Sequence, residues 1–272
     1  MTSDLPYAEV IGDPVEHSKS PLIHNFWLRK LGLSAKYRRA RVFPAMFEKY
    51  LAERRRDPLW RGCNVTMPLK RDALRLADEP DAAARRAGAA NLLRPTAGGL
   101  LAENKDIGAI LAVLDQLTEG RKPESVTLLG TGGAARAVVA ALASLGVRNI
   151  TIQARDQQAA LVLAEQFALT LPVQPLGCCP ESHGLINATS LGMAGTAPLR
   201  IDLTRMPVGG WVFDLVSVPD PTPLVGDAKA RDLVASGGLL MLVEQAATSF
   251  SAFFGAEAPR HHDAELMKLL TA

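Results

Sequence analysis

The stretch Val126–Leu145 limits what this chain can fold into more than any other. Val126-Thr127-Leu128-Leu129 is an apolar run of strand type, Gly130-Thr131-Gly132-Gly133-Ala134-Ala135 is a glycine turn, and Arg136 to Leu142 is an alanine-rich helical run. The spacing is G-x-G-x-x-A, a form of the dinucleotide-binding turn. Each small residue has a reason. Gly130 allows the tight exit from the strand, Gly132 lets backbone approach a pyrophosphate, and Ala135 lets the helix pack close to the strand. The anion would rest on the helix N-terminus, where unpaired N–H groups and the macrodipole favour negative charge.

Strand and helix signals alternate from this point: strand 126–129, helix 133–145, strand 149–153, helix 157–168, a short strand at Leu185-Ile186 and another at Trp211 to Leu215. Alternation of this kind predicts parallel strands joined by right-handed helical crossovers. Pro219 to Pro223 breaks the pattern, a helix to about Ala235 follows, and Met241 to Phe254 is helical with an apolar face. The polar connection Gly120–Ser125 marks a change of composition.

The N-terminal part reads differently. Tyr7 to Ile11 is a short strand; Ser20 and Pro21 mark a helix start, with Ser20 as N-cap and Pro21 in the first turn, and Gly32 closes that helix. Ala35 to Val42 is a second, arginine-rich strand, Pro44 opens a helix to about Arg56, and Trp60 to Val65 is a strand that leads to a helix from Pro68 through Leu76. Asp81 to Ala87 is helical, Ala90–Leu93 and Leu100–Ala102 form a hairpin across Gly98-Gly99, and Asp106 to Leu117 is an amphipathic helix.

A chain of 272 residues accommodates two ordinary domains. Its net charge of +2 gives no argument for nucleic acid or a membrane surface as partner. The run Arg54-Arg55-Arg56 belongs to a solvated helix face. No apolar run has the length of a membrane span, and the N-terminus lacks a basic-then-apolar layout. Cys63, Cys178 and Cys179 have neither disulfide nor zinc spacing, so free thiols in a cytoplasmic protein are expected.

Five further stretches could carry chemistry. In Asn64-Val65-Thr66-Met67-Pro68-Leu69-Lys70, Asn64 and Thr66 alternate to one side of a strand end. Lys70 lies in the first helical turn, where a cation gains nothing from the helix dipole. Asp106 follows Asn104-Lys105 and opens a helix, which a capping role would also explain. Ser18 and Ser20 flank Lys19, and Ser20 has its own capping explanation. Asn91 follows Ala89-Ala90, and Gln245 stands on the last helix. His261-His262-Asp263 reads as a solvated helix start, so no metal is expected. His17 shapes its loop.

In order and spacing these stretches resemble the shikimate dehydrogenase family over nearly the whole chain. The family patterns H-S-x-S-P, N-V-T-x-P-x-K, A-x-N, N-T-D, G-x-G-G-A, I-N-A-T, D-x-x-Y-x-P-x-x-T-P-L and Q-A correspond to His17–Pro21, Asn64–Lys70, Ala89–Asn91, Asn104–Asp106, Gly130–Ala134, Ile186–Thr189, Asp214–Leu224 and Gln245-Ala246. The resemblance implies an α/β protein of two domains. One is an N-terminal mixed-sheet substrate domain, 1–105 plus 241–272; the other is a Rossmann-like doubly wound dinucleotide domain, 106–240, with the active site in the cleft between. It implies reversible reduction of 3-dehydroshikimate to shikimate with a nicotinamide cofactor, in the shikimate pathway of aromatic amino acid biosynthesis, by a monomer or homodimer. Lys70 and Asp106 would be the catalytic pair. Ser18 and Ser20 would hold the carboxylate, and Asn64, Thr66, Asn91 and Gln245 the ring oxygens or the pocket around them. Gly130, Thr131, Gly132, Gly133, Ala134, Ala154, Arg155, Asp156, Thr189, Val216 and Met241 would hold the cofactor. A free lysine titrates at about 10.4, which favours Lys70 as proton donor and charge stabiliser over Lys70 as base.

Four departures bear on the substrate. Lys105 replaces the Thr of N-T-D, Ser217 replaces the tyrosine of D-x-x-Y, Leu92 follows Asn91 in place of Thr, and Leu240 stands in the family's G-L-G-M. Lys105 is therefore expected either to compete for Asp106 or to reach the substrate carboxylate, the latter compensating Ser217. Both residues join the candidate substrate contacts. Quinate or a related hydroxylated ring acid is the alternative substrate, and a ring-acid binder without turnover is the rival of a different class. For the cofactor, Arg155 can pair a 2′-phosphate bidentately. Asp156 has three open roles: repelling that phosphate, bonding a free ribose hydroxyl, or capping the next helix. Arg155 tips the expectation to NADP, with NAD possible.

Overall fold

The computed structural model describes residues 5–167 and 172–271. The chain divides into two compact units, Met1–Lys105 with Val243–Ala272, and Asp106–Leu242.

The first unit carries strands β1 (Tyr7–Gly12), β2 (Lys36–Arg41), β3 (Trp60–Val65), β4 (Glu79–Pro80), β5 (Leu92–Thr96) and β6 (Gly99–Glu103), with helices α1 (Ser20–Lys30), α2 (Phe47–Arg54), α3 (Lys70–Leu76) and α4 (Ala82–Ala87). The sheet order is β2-β1-β3-β5-β6-β4. β2, β1 and β3 are parallel, β5 runs antiparallel to both β3 and β6, and β4 is parallel to β6. Every residue of β1 is buried, as a central strand covered on both faces requires. Tyr7 and Ile11 enter a core with Phe47, Leu51, Trp60, Leu69 and Leu93. Ala8 and Val10 turn to the other face, against Tyr37, Leu92 and Phe253. Between Tyr7 and Ile11 stands Glu9, fully buried. Its carboxylate accepts from Arg38 Nε (3.0 Å), Arg54 Nε (2.9 Å) and Trp60 Nε1 (3.1 Å). The arginines of β2 and α2 thus have a structural use that their sequence run did not suggest.

The second unit carries α5 (Asp106–Thr118), β7 (Val126–Leu129), α6 (Gly133–Ser144), β8 (Ile150–Ala154), α7 (Gln157–Gln166), β9 (Val173–Pro175), β10 (Gly184–Asn187), β11 (Trp211–Asp214), α8 (Pro223–Lys229) and β12 (Val234–Ser236). All pairs are parallel, and the order β12-β11-β10-β7-β8-β9 is the doubly wound 6-5-4-1-2-3 arrangement. α9 (Gly238–Phe254) contributes residues to both units, and α10 (Asp263–Thr271) closes the chain. No helix among the described residues is long and apolar enough to cross a membrane.

Several boundaries differ from expectation. Lys19, not Ser20, is the N-cap of α1, and no side-chain cap bond forms there, so the Ser20 hydroxyl is not used for capping. The helix expected from Pro68 begins at Lys70, because Thr66–Leu69 closes a turn with Leu69 N–H on the Thr66 carbonyl (3.0 Å). The helix expected to reach Ala235 stops at Lys229, and the segment beyond it pairs with β11 as β12. A three-residue edge strand has too little pattern to declare itself in sequence, and the same holds for β4 and β9. Residue 168 of the expected helix 157–168 lies outside the described residues. Cys63 is buried, Cys178 and Cys179 are half-buried, and all three are free thiols.

Candidate functional site

In the first unit, the ends of two neighbouring parallel strands bring together the loop Asp13–Lys19 and the segment from Asn64 to Lys70. Gly12 ends β1. A Cβ there would lie 2.3 Å from Thr66 Cγ2 and 2.8 Å from the Met67 carbonyl, so glycine is what lets the segments meet. Thr66 N–H donates to the Ile11 carbonyl (2.9 Å) and Asp13 N–H to the Met67 carbonyl (3.0 Å). In the loop, Ser18 N–H donates to the Val15 carbonyl (3.1 Å), and Ser20 N–H donates to Ser18 Oγ (3.3 Å).

Asn64 is the hub of a buried hydrogen-bond network. Tyr37 Oη donates to Asn64 Oδ1 (2.7 Å). Asn64 Nδ2 donates to Ser249 Oγ (2.9 Å) and to the Asn91 carbonyl (3.3 Å). Ser249 Oγ donates in turn to the Gln245 carbonyl (2.8 Å), and Asn91 Nδ2 donates to Gln245 Oε1 (3.3 Å). The amide orientations follow from the donors. Burial pushes the Tyr37 hydroxyl well above its ordinary pKa, so it stays protonated and turns the Asn64 oxygen toward itself. The backbone N–H of Lys105 donates to Asn91 Oδ1 (2.7 Å), which leaves Asn91 Nδ2 facing Gln245. Five separated segments, at Tyr37, Asn64, Asn91, Lys105 and Gln245–Ser249, are thereby tied at one place.

Lys70 is half-buried as the first residue of α3, and its carbonyl accepts from Ala90 N–H (2.8 Å). Asn104 is buried, with Nδ2 on the Ala89 carbonyl (2.8 Å). Lys105 is engaged by a residue of β6 and not by Asp106. Its Nζ bonds Glu103 at 2.6 Å, and Arg94 Nε bonds the same carboxylate at 3.0 Å. Burial pushes the Glu103 carboxyl up, but the hydrogen bonds and charges of Lys105 and Arg94 outweigh it and hold it below its ordinary range.

In the second unit, Asp106 is buried as the first residue of α5. The glycine turn leaves β7, whose neighbours are β8 and β10, so it lies where the strand order reverses. Gly130 has φ +104°, and a Cβ there would stand 3.0 Å from Thr189 Cγ2 and 3.2 Å from the Ala188 carbonyl. Gly132 is the N-cap of α6, and a Cβ on it would meet nothing within 4 Å. The helix N-terminus thus presents backbone N–H groups under open space, with Thr131, Gly133 and Ala134 half-buried around it and Ala135 fully buried. That geometry fits the pyrophosphate of a dinucleotide.

Ala154 ends β8, and Arg155 is exposed beyond it. Asp156 is the N-cap of α7, its Oδ1 accepting from Ala159 N–H at 3.0 Å. Thr189 donates through N–H (3.0 Å) and Oγ1 (2.7 Å) to Asn187 Oδ1. Val216 is buried and accepts the Gly238 N–H on its carbonyl (2.9 Å). Met241 is buried on α9, while Ser217 and Leu240 are half-buried.

Two pairs escaped the sequence reading. Tyr37 and Ser249 complete the Asn64 network, and only their tertiary partners reveal them. Asn187 and Asp214 end adjacent strands and bond each other at 2.8 Å. Asp214 also accepts from Thr222 Oγ1 (2.7 Å) and Val216 N–H (3.1 Å). Burial raises its carboxyl above the ordinary range, only partly offset by those donors. Both stand in motifs quoted above, Ile186–Thr189 and Asp214–Leu224, which was the available signal.

Comparison with known proteins gives a consistent answer. Residues 10–93 match the family model described as the shikimate dehydrogenase substrate binding domain. The chain is 45% identical over 269 residues to a shikimate dehydrogenase (NADP(+)) of Sphingopyxis alaskensis, covering 98% of this chain and 97% of the relative. Its fold is similar to that of shikimate 5-dehydrogenase from Thermus thermophilus, solved with NADP(H) and shikimate: TM-score 0.86, 33% identity, 98% of this chain and 100% of that one. It is also similar to a ligand-free 5-ketofructose reductase of Gluconobacter, with TM-score 0.84, 26% identity, and 98% and 99% coverage.

Proposed function

This chain belongs to the shikimate dehydrogenase family, and from that premise we propose which of its residues carry the reaction. The protein is an NADP-dependent oxidoreductase that interconverts 3-dehydroshikimate and shikimate. The reading of its residues is carried by one observation: Asn64, Asn91 and Gln245, far apart in sequence, are joined by hydrogen bonds in one buried cluster.

Residues 1–105 with 241–272 serve as the substrate domain and 106–240 as the dinucleotide domain. Gly130 to Ala134, Thr189, Val216 and Met241 hold the cofactor, and Arg155 pairs the 2′-phosphate. The nicotinamide, when bound, exchanges a hydride with the reacting ring carbon. The chain's residues manage binding and the proton. Ser18 and Ser20 donate to the substrate carboxylate. Thr66, Asn91 and Gln245 take ring oxygens, a suitable set because a hydroxyl needs both a donor and an acceptor. Asn64 supports that set. In the reduction direction Lys70 gives its proton to the carbonyl oxygen as the alkoxide develops, and Asp106 orients the lysine and accepts a substrate hydroxyl. In the oxidation direction the proton returns to Lys70.

The enzyme acts in the cytoplasm on a small molecule, as monomer or homodimer. Quinate or a related ring acid is the second substrate to try, since Ser217 stands where the family pattern has tyrosine. Initial rates with shikimate and quinate, each with NADP and NAD, test the reading, together with Lys70→Ala. That substitution is expected to lower kcat by about 10²–10⁴-fold, the range of one acid–base group, with little change in shikimate KM. A variant with near-normal kcat would remove Lys70 from the mechanism.

A further inference from the structure

One face of β2 has a use that sequence alone left as an exposed arginine strand. Tyr37, Arg39 and Arg41 alternate to the same face, and each reaches a different part of the candidate substrate site. Tyr37 bonds Asn64 (2.7 Å). Arg41 bonds Asp13 (2.7 Å), with Glu16 at 3.5 Å. Arg39 donates to the Ser18 carbonyl through both Nε (3.2 Å) and Nη2 (2.9 Å).

The three arginines of the strand differ in how their charge is answered. Arg38 is matched by Glu9 and Arg41 by Asp13. Among the described residues Arg39 has no carboxylate within ion-pair distance; its partner is a neutral carbonyl. The loop it grips is held from the other side as well, because Lys19 Nζ donates to the Leu270 carbonyl at the end of α10. Ser18 Oγ accepts the Ser20 N–H, which leaves the Ser18 hydroxyl proton to point elsewhere.

We propose that Arg39 is a specificity-determining residue for the acidic group of the substrate: it locks the Ser18 backbone and sets a positive charge on the carbonyl of a residue whose hydroxyl binds a carboxylate. The proposal rests on the reading of Ser18 and Ser20 as carboxylate donors. A guanidinium cannot lose its charge at any working pH, and a two-pronged donor holds one carbonyl in a single orientation. Its field favours an anionic ring acid over a neutral ring polyol, and salt weakens it because the group is exposed.

The test is steady-state kinetics on Arg39→Gln and Arg39→Lys beside the parent enzyme, with shikimate and its neutral methyl ester at low and high salt. Arg39→Gln is expected to raise shikimate KM about fivefold, the worth of one exposed charge-assisted bond. It should leave kcat and NADP KM within about twofold, flatten the salt dependence of kcat/KM, and change the ester much less than the acid. Arg39→Lys, which keeps the charge, should recover most of the discrimination between acid and ester. Equal losses for acid and ester, or an unchanged shikimate KM, would overturn the role of Arg39. Ser18→Ala and Ser20→Ala that raise KM for the acid no more than for the ester would instead overturn the reading of the serines beneath it, so the two failures are separable.

Discussion

Tyr37→Phe removes one oxygen and leaves the ring. The ring keeps its stack on His24, with centroids 3.9 Å apart and planes 2° from parallel. Asn25 still holds the Tyr37 backbone, donating to its carbonyl from Nδ2 (2.7 Å) and accepting its N–H on Oδ1 (3.0 Å). Only the donor to Asn64 Oδ1 is lost. Tyr37 is 3% and Asn64 4% exposed, so no bulk water replaces the donor. Leaving a buried acceptor unsatisfied costs about 1–3 kcal/mol. At about 2–4 °C per kcal/mol for a chain of this size, Tm should fall by roughly 2–12 °C. The Asn64 amide also loses the contact that fixes its orientation, and with it the grip on Ser249 and on the Asn91 carbonyl. Shikimate KM should therefore rise about fivefold, near 1 kcal/mol, while NADP KM holds. Ser249→Ala breaks the opposite side of the same amide, so the double variant should lose less than the sum of the singles. Thermal unfolding and steady-state kinetics read both effects. An unchanged Tm with unchanged shikimate KM, or strict additivity in the double variant, would refute the claim that Tyr37 and Ser249 act through Asn64.

Other consequences are open to equally direct measurement. Burial lowers the His24 imidazole to about 3, and neither ring nitrogen has a hydrogen-bond partner among the described residues. The unfolded chain therefore takes up a proton near the free value of about 6.5 while the folded chain does not, so stability should fall as pH drops from there toward about 3. His24→Phe should flatten that acid slope in Tm, and an unaltered slope would acquit His24. Arg155→Ala should raise the KM for NADP about tenfold or more, the worth of a charge-assisted phosphate contact, with the KM for NAD little changed; equal effects on both cofactors would move the 2′-phosphate elsewhere.

Much of this protein was written in periodicity and punctuation. The parallel order of the second unit follows from strand–helix alternation, since a strand that feeds a helix and returns must cross over right-handedly. Gly130 announced its turn because a positive φ tolerates few residues other than glycine. Lys70 drew notice for the opposite reason: a cation at a helix start is unexplained by local energetics. The short strands β4, β9 and β12 left no such mark, as two or three residues cannot display an alternation.

Side-chain partnership was the province of the tertiary structure. Asn64 reads in sequence as one polar residue of a motif. In space it is held by Tyr37 from an edge strand and by Ser249 from the last long helix, partners that no spacing rule selects. Lys105 stands next to Asp106 in sequence, yet its ammonium serves Glu103 on β6, because neighbouring residues leave an extended segment in different directions. Arg38, Arg39 and Arg41 look alike along the strand, but pleating sends Arg38 to buried Glu9 and Arg39 to the Ser18 carbonyl. The sequence by itself determined the longer elements and what family of chemistry they serve, since both depend on local pattern. Which polar groups hold which was decided only by the packed chain, where burial makes each donor seek whatever acceptor the fold sets beside it.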